Sequence, residues 1–377
     1  MNYSNVEVYL KRKYTFKYNE VLNRTFFKKN SGGSSSLKLL DDYYLNSMYR
    51  ELSNKNLKIG KAALRDLLQS DFVPRFNPIM DYFKNLKTWD GSNDFITSLA
   101  CTVNSTDNKV FQWAFKKWFV AMIGCAYSQN ITNHCALILI GPQGLGKSSW
   151  IQGLLPIELK DYLSSGKVDP TRKDSVFLLA ECMLINLEEV GTFSRSEAEA
   201  FKEIITKEVI RERRPYGVFA ENYVRRASFI GSSNNQKILV DVTGNRRFLV
   251  FEISGFKKID SQLLDNAYSQ GFYLFKKNFQ YWFDQKDIQK INKHNEQYRE
   301  VLQEEVLLSK YFLPVFTKGK GVLFMNATET INYISNYEKS TVILKALSPV
   351  EMGKVLKAKG FKELKVKGVK KYMLKRK

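Results

Sequence analysis

The stretch Ala136-Leu137-Ile138-Leu139-Ile140-Gly141-Pro142-Gln143-Gly144-Leu145-Gly146-Lys147-Ser148-Ser149 decides the fold class. An apolar strand runs straight into G-x-x-x-x-G-K-S, the pattern of a loop that cradles the phosphates of a nucleoside triphosphate. Gly141, Gly144 and Gly146 let the backbone turn tightly, with Leu145 and Ser149 completing the loop, so that successive amides and the next helix's N-terminus point at the phosphates. Lys147 is expected to reach the β and γ phosphates and Ser148 to ligate Mg²⁺. A helix-like run from Ser148 to Leu155, stopped by Pro156, supplies the context that a chance glycine-rich turn lacks. The first expectation is a site for ATP or GTP with Mg²⁺.

Outward from this loop, between about 131 and 255, apolar runs at Leu137–Ile140, Met183–Leu187, Ser228–Ile230 and Phe248–Phe251 alternate with polar or helical segments. That rhythm predicts an α/β fold, a P-loop core with a mainly parallel sheet and flanking helices. Five segments are expected. Residues 1–90 form a small basic α+β module, with a hairpin ending near Asn23, short helices between Leu37 and Leu68, and a linker bounded by Pro74 and Pro78. Residues 91–130 are helical, and their aromatic stripe (Phe111, Trp113, Phe115, Trp118, Phe119) reads as core beneath the sheet. The ATPase core covers 131–255, a helical lid 256–312 and a basic module 313–377. In that last module helices near Thr328–Tyr337 and Pro349–Lys359 precede strands around Leu364–Val366 and Lys371–Leu374, an order that suits a winged helix or an ordinary α+β cap.

The charge balance points to a polyanionic partner. Lysine and arginine number 59 against 38 acidic residues, a formal charge of +21. Residues Glu351 to Lys377 alone hold eleven basic residues and two glutamates, which favours nucleic acid. The four cysteines (Cys101, Cys125, Cys135, Cys182) show no C-x-x-C spacing, and His134 and His294 lie far apart, so neither a zinc site nor a disulfide framework is indicated. His134 reads as structural. The longest apolar run, Cys135 to Ile140, is too short to span a bilayer, and the N-terminus lacks a secretory pattern; a soluble, cytoplasmic protein is expected.

Hydrolysis needs acidic groups at a strand end. Met183-Leu184-Ile185-Asn186-Leu187-Glu188-Glu189 provides them: Glu188 for Mg²⁺, directly or through water, and Glu189 for the attacking water. The strand Phe229-Ile230-Gly231-Ser232-Ser233 ends in Asn234, placed to bond the attacking water or the γ-phosphate. Gly244-Asn245-Arg246-Arg247-Phe248 sets two guanidinium groups before another strand, where one could meet a phosphate across a subunit interface.

The ordered set of motifs resembles the virulence-associated E family. It comprises the phosphate loop, Lys173-Asp174, Leu187-Glu188-Glu189-Val190, Phe201-Lys202-Glu203-Ile204-Ile205-Thr206, Arg213-Arg214-Pro215-Tyr216-Gly217, Arg225-Arg226 with the strand to Asn234, and Gly244-Asn245-Arg246-Arg247-Phe248. The likeness extends from Tyr18-Asn19-Glu20-Val21, through Asn77-Pro78-Ile79 and Trp89-Asp90-Gly91, to Leu307-Leu308-Ser309-Lys310-Tyr311-Phe312. Such proteins are superfamily 3 helicase-like AAA+ ATPases of phages and mobile elements, related to poxvirus-type primase-helicases. Two positions depart from the pattern: Glu188 stands where an aspartate is frequent, and Asn186 where an acidic residue is.

The resemblance implies a DNA-dependent ATPase and replicative helicase, a homo-oligomeric ring, commonly a hexamer, completed at each site by an arginine of the next subunit. It implies single-stranded or forked DNA in the channel, gripped by a hairpin that maps to Lys207–Arg226, with Lys207, Arg211, Arg213, Arg214 and Tyr216 as contacts. Residues 1–90 carry no zinc-binding set or acidic metal cluster, so primer synthesis is expected of a separate primase, in a bacterial host cell. A nucleotide-gated DNA-binding or loading protein without unwinding, and a P-loop small-molecule kinase, are the competing readings.

Overall fold

The computed structural model describes residues 4–31, 36–166, 168–169, 172–188, 190, 195–214, 217–239, 245–338 and 347–377, with backbone alone at 173, 174, 195, 196 and 198. The chain is a mixed α/β protein built around a six-stranded, largely parallel sheet.

It opens with α1 (Ser4–Lys13), the hairpin β1 (Tyr14–Asn19) and β2 (Arg24–Lys29), β3 (Lys38–Leu39), α2 (Asp42–Asn54), α3 (Lys61–Leu68) and β4 (Arg75–Phe76). The strands pair in the order β3-β2-β1-β4 and share a separate apolar core with α1, α2 and α3. Two expectations are corrected here. The hairpin expected to end near Asn23 turns there instead and runs from Tyr14 to Lys29, while the alternating Val6, Val8 and Leu10 before it lie on a helix: Val6 and Leu10, four residues apart, are 2% and 0% exposed, whereas Val8 is 65% exposed. Residues four apart share a face in either conformation, and the core decides between them. The segment between Pro74 and Pro78 is not a free linker. Its residues 75 and 76 pair in parallel with β1, and Pro78 opens α4 (Pro78–Asn85), where a missing N–H is harmless.

After α5 (Phe95–Ala100) and the short β5 (Val103–Ser105), α6 (Asn108–Tyr127) runs for 20 residues. Its Phe111, Phe115, Trp118 and Phe119 are all 0% exposed, so the aromatic stripe is core.

The central region comprises β6 (Ala136–Ile140), α7 (Lys147–Gln152), β7 (Leu163–Gly166), α8 (Lys173–Glu181), β8 (Leu184–Leu187), α9 (Arg195–Thr206), the small hairpin β9 (Ile210–Glu212) and β10 (Glu221–Tyr223), β11 (Ser228–Ser233) and β12 (Phe248–Phe256). The sheet order is β5-β12-β6-β11-β8-β7. All pairings are parallel except that of β5 with β12. Strands β6, β8 and β11 are buried at every residue, as a parallel sheet covered on both faces requires. One face packs under α6, α7 and α10 (Ser261–Lys276). The other packs against α8 and α9.

Beyond α10 come α11 (Gln285–Asn295), α12 (Gln303–Tyr311), β13 (Phe312–Pro314), β14 (Val322–Met325), α13 (Ala327–Ser335), α14 (Pro349–Ala358), β15 (Glu363–Val366) and β16 (Val369–Arg376). β16 pairs antiparallel with β13, β14 and β15. These elements close on their own apolar cluster, including Leu308, Ile334, Met352, Val355 and Leu374. A buried bidentate pair ties this region back to the centre: Arg299 donates to Glu305 at 2.6 and 3.0 Å, and Lys359 sits 2.5 Å from the same carboxylate.

Candidate functional site

Parallel strands bring their C-terminal ends to one edge of the sheet, and the loop after β6 lies there. Gly144 and Gly146 take φ values of 80° and 93°, a region that other residues enter only with strain. This geometry turns the chain from β6 into α7. The Lys147 side chain folds back over the loop: its ammonium donates to the Gly141 carbonyl at 2.6 Å, the Pro142 carbonyl at 2.8 Å and Asn234 Oδ1 at 3.0 Å. Lys147 is 8% exposed, and burial pushes its pKa down. All three acceptors are neutral. Among the described residues no carboxylate neighbours this desolvated cation, so an anion brought to it would meet an uncompensated charge. Gln143, Gly144, Ser148 and Ser149 are exposed beside it, with Leu145 half-buried.

The neighbouring strand ends complete the edge. Gly141 N donates to the Ser233 carbonyl at 3.1 Å, which sets the start of the loop beside the end of β11 and puts Asn234 against Lys147. β8 pairs with β11 through Leu187 and Gly231, and Glu188 emerges exposed just beyond. A methyl group at Gly231 would lie 2.7 Å from Val190 Cγ2 and 3.0 Å from the Leu187 carbonyl. Glycine there lets the segment leaving β8 lie close against β11. Glu189, expected to orient the attacking water, falls outside the described residues, as do Tyr216 and Gly244.

Asn186 is legible in the sequence only as a departure from a pattern. In the structure it is 0% exposed, and among the described residues neither its amide nitrogen nor its oxygen has a hydrogen-bond partner. Strand alternation puts it on the same face as Leu184 and Glu188, the face covered by α6 and α7. An unsatisfied buried amide is destabilising by roughly 1–3 kcal/mol.

Arg246 and Arg247 do not join this edge. They form a short 3₁₀ turn that enters β12, and the Arg246 carbonyl lies 3.7 Å from Cys135 Sγ, just ahead of β6. Six residues at about 3.3 Å each separate Cys135 from Gly141, so the two arginines stand roughly 20 Å from the loop of their own chain. They line a cleft of about 690 Å³ with His134, Glu208, Arg225 and the aromatic run Tyr281, Trp282 and Phe283. His134 is exposed and borders this cleft, with Nε2 3.8 Å from Glu208 Oε1. Its pKa is lowered, first by burial and then by the fields of Arg225 and Arg247, while Glu208 pulls the other way.

The basic stretch 207–226 divides in two. Arg214 pairs with Glu181 at 2.7 Å and stacks over Phe177 and Tyr223, so it holds the β9–β10 hairpin onto α8. Arg225 is 2% exposed and donates to the Ile205 carbonyl, and Arg226 donates to the Ala180 and Val224 carbonyls. Lys207 is half-buried, and Arg211 and Arg213 are exposed. The tip also exposes Val218 and Phe219, at 80% and 76%. Phe219 is a candidate contact that the sequence reading missed; two apolar residues inside a polar hairpin, with no periodicity to bury them, were the available signal.

Among solved structures, the apo C-terminal region of NrS-1 (residues 305–718) is similar over 98% of this chain and 98% of that one, at 14% identity and a TM-score of 0.48. The A form of the same region gives 16% identity, the same coverage and a TM-score of 0.48. No curated protein matches the chain. Residues 83–300, more than half of the sequence, match the virulence-associated protein E-like domain, and the chain belongs to that family.

Proposed function

We propose that the chain is a ring-forming, DNA-dependent ATPase with an AAA+ P-loop core, acting as a superfamily 3-like helicase in phage or mobile-element DNA replication. The observation that carries this reading is the Lys147 ammonium, held on three neutral acceptors where the first glycine-rich loop leaves the parallel sheet. A γ-phosphate is the ligand such a cation suits.

ATP lies along the loop 141–149 in this reading, and Lys147 exchanges its carbonyl partners for the β and γ phosphates. Asn234, already within hydrogen-bond reach of Lys147, is next to the transferring phosphoryl group. Ser148 and Glu188 are the residues that would hold Mg²⁺, and the orphaned amide of Asn186 behind Glu188 fits a bound-water network there. Magnesium, when bound, neutralises phosphate charge and orients the leaving group. Glu189 aligns the attacking water. Arg246 or Arg247 reaches the site from the adjacent subunit and stabilises the charge that develops on the departing phosphates. Lys207, Arg211 and Arg213 follow the DNA backbone, and Phe219 stacks on a base.

The test is ATP hydrolysis with and without single-stranded DNA at fixed moderate salt, by the wild type, Lys147→Ala and Glu189→Gln. Turnover raised by DNA and abolished in both variants is the expected result. DNA-indifferent turnover would point instead to nucleotide-gated assembly or small-molecule phosphorylation.

A further inference from the structure

We propose that the C-terminal module is a winged helix whose β15–β16 wing binds the phosphate backbone of duplex DNA. The module begins at α12 and not at residue 313 as expected, because Leu307 and Leu308, assigned by the sequence to the lid, pack in its apolar cluster; the nucleotide site lies outside residues 303–377. The described order is helix, two short strands, helix, helix and a terminal hairpin, closed on one apolar cluster. Helix α14 buries Met352, Val355 and Leu356 and turns Val350 and Lys357 outward. The hairpin that follows carries Lys362, Lys365, Lys367, Lys370 and Lys371 against the single Glu363.

Three features of this hairpin run against what folding alone favours. Lys365 and Lys370 are direct cross-strand partners, and like charges in that position are destabilising. The two-residue turn is Lys367-Gly368, with φ values of 49° and 79°. Such turns select asparagine, aspartate or glycine at the first place, and a lysine held in the left-handed region is strained by about 1 kcal/mol. Val369, 48% exposed, continues the solvent-facing tip. Glu363 engages Lys370 at 2.6 Å and Glu329 engages Lys371 at 2.9 Å, which leaves Lys365 and Lys367 without a carboxylate partner among the described residues. Glu363 offsets the Lys370 half of the cross-strand pair, and a phosphate backbone would offset the rest, Lys365 and the turn residue Lys367.

Duplex rather than single-stranded DNA follows from what the wing lacks. Single-strand platforms pair cations with exposed rings on which bases stack. The one ring in the hairpin, Tyr372, is 4% exposed and faces the module's core. The exposed rings of the module, Phe316 and Tyr337, lie outside the hairpin; lysines on a hairpin with no ring of its own follow a backbone, and a wing beside an exposed helix face suits the groove of a duplex.

The experiment uses the full chain and a short blunt DNA duplex, followed by fluorescence anisotropy across a salt series. The triple variant Lys365→Gln, Lys367→Asn, Lys370→Gln is expected to lose affinity on the order of a hundredfold at about 0.15 M salt, with the log–log salt slope shallower by about 2.7. The single Lys367→Asn variant keeps the fold safe, because asparagine suits this turn. It is expected to hold or raise Tm while duplex affinity falls about fivefold. Unchanged duplex affinity and salt slope in the triple variant overturn the proposal. So does an equal loss on a single-stranded oligonucleotide, or a loss confined to vesicles of phosphatidylserine and phosphatidylcholine, which would make the wing a membrane contact.

Discussion

The two edges of the central sheet handle charge in opposite ways. At the C-terminal edge one cation, Lys147, rests on neutral acceptors among small polar residues, and Glu188 stands exposed nearby. At the N-terminal edge Arg225, Arg246 and Arg247 surround a cleft that also holds His134 and three aromatic residues. In the proposed reading the first edge receives a polyanion, and of the three arginines at the second only the exposed Arg246 and the half-buried Arg247 are free to meet one, because Arg225 is 2% exposed and bonded to the Ile205 carbonyl. One chain keeps them roughly 20 Å apart, so neither can complete the other within a subunit. In the proposed ring a head-to-tail contact between copies brings them together, and repeated with a closing rotation such a contact closes on itself.

The largest effects are expected where this division is attacked directly. Lys147→Ala should abolish ATP turnover, and Arg246→Ala or Arg247→Ala should lower it by about 10³-fold or more while nucleotide binding persists. If the arginine acts across an interface, mixing the Lys147 variant with the inactive arginine variant should restore activity, because some sites then pair an intact loop with an intact arginine. Turnover measured across mixing ratios reads this. A mixture no more active than its components would mean that the two edges do not meet.

Asn186 sharpens the comparison from the stability side. Replacing its unsatisfied amide by leucine should raise the stability of the free protein by about 1 kcal/mol or more, since nothing hydrogen-bonded is lost. The same Asn186→Leu change should lower turnover if the amide serves the metal-bound water. A more stable protein with unimpaired turnover would remove Asn186 from the site. Thermal unfolding and ATPase rates on one preparation decide it.

Much of this division is legible in the amino-acid sequence. The buried strands 136–140, 184–187 and 228–233 are announced by the apolar runs 137–140, 183–187 and 228–230, because a parallel sheet covered on both faces imposes no alternation. The contact of Asn234 with the loop's neighbourhood follows from small polar residues at a strand end. The position of Arg246 and Arg247 is also in the sequence, though only as an implication: in a parallel sheet a residue before one strand and a residue after another lie at opposite edges. Less visible are elements fixed by tertiary contact. β7, Leu-Ser-Ser-Gly, has almost no strand signal and exists because it pairs with β8 along the sheet's edge. The roles of Arg214, Arg225 and Arg226 are hidden for a related reason. A basic run gives the number of charges, while the partners that draw three of them inward, Glu181 and the carbonyls of Ile205 and Ala180, come from elsewhere in the chain.

The smallest expected effect concerns His134, and it tests which edge faces a nucleotide. Burial, Arg225 and Arg247 hold its pKa below 6.5 in the folded chain. The unfolded chain therefore takes up a proton near pH 6.5 that the folded chain refuses. The His134 contribution is complete above that pH and is lost as the pH falls toward the folded value. His134→Gln should flatten this slope slightly. A bound polyphosphate from a neighbouring subunit would offset the arginine field and raise the His134 pKa. With only two histidines in the sequence, NMR titration can follow His134 against His294 in the free protein and in the ATP-bound assembly of the Glu189→Gln variant. An upward shift confined to His134 places phosphate at the N-terminal edge. Identical titrations in both states would leave that edge without a nucleotide to serve.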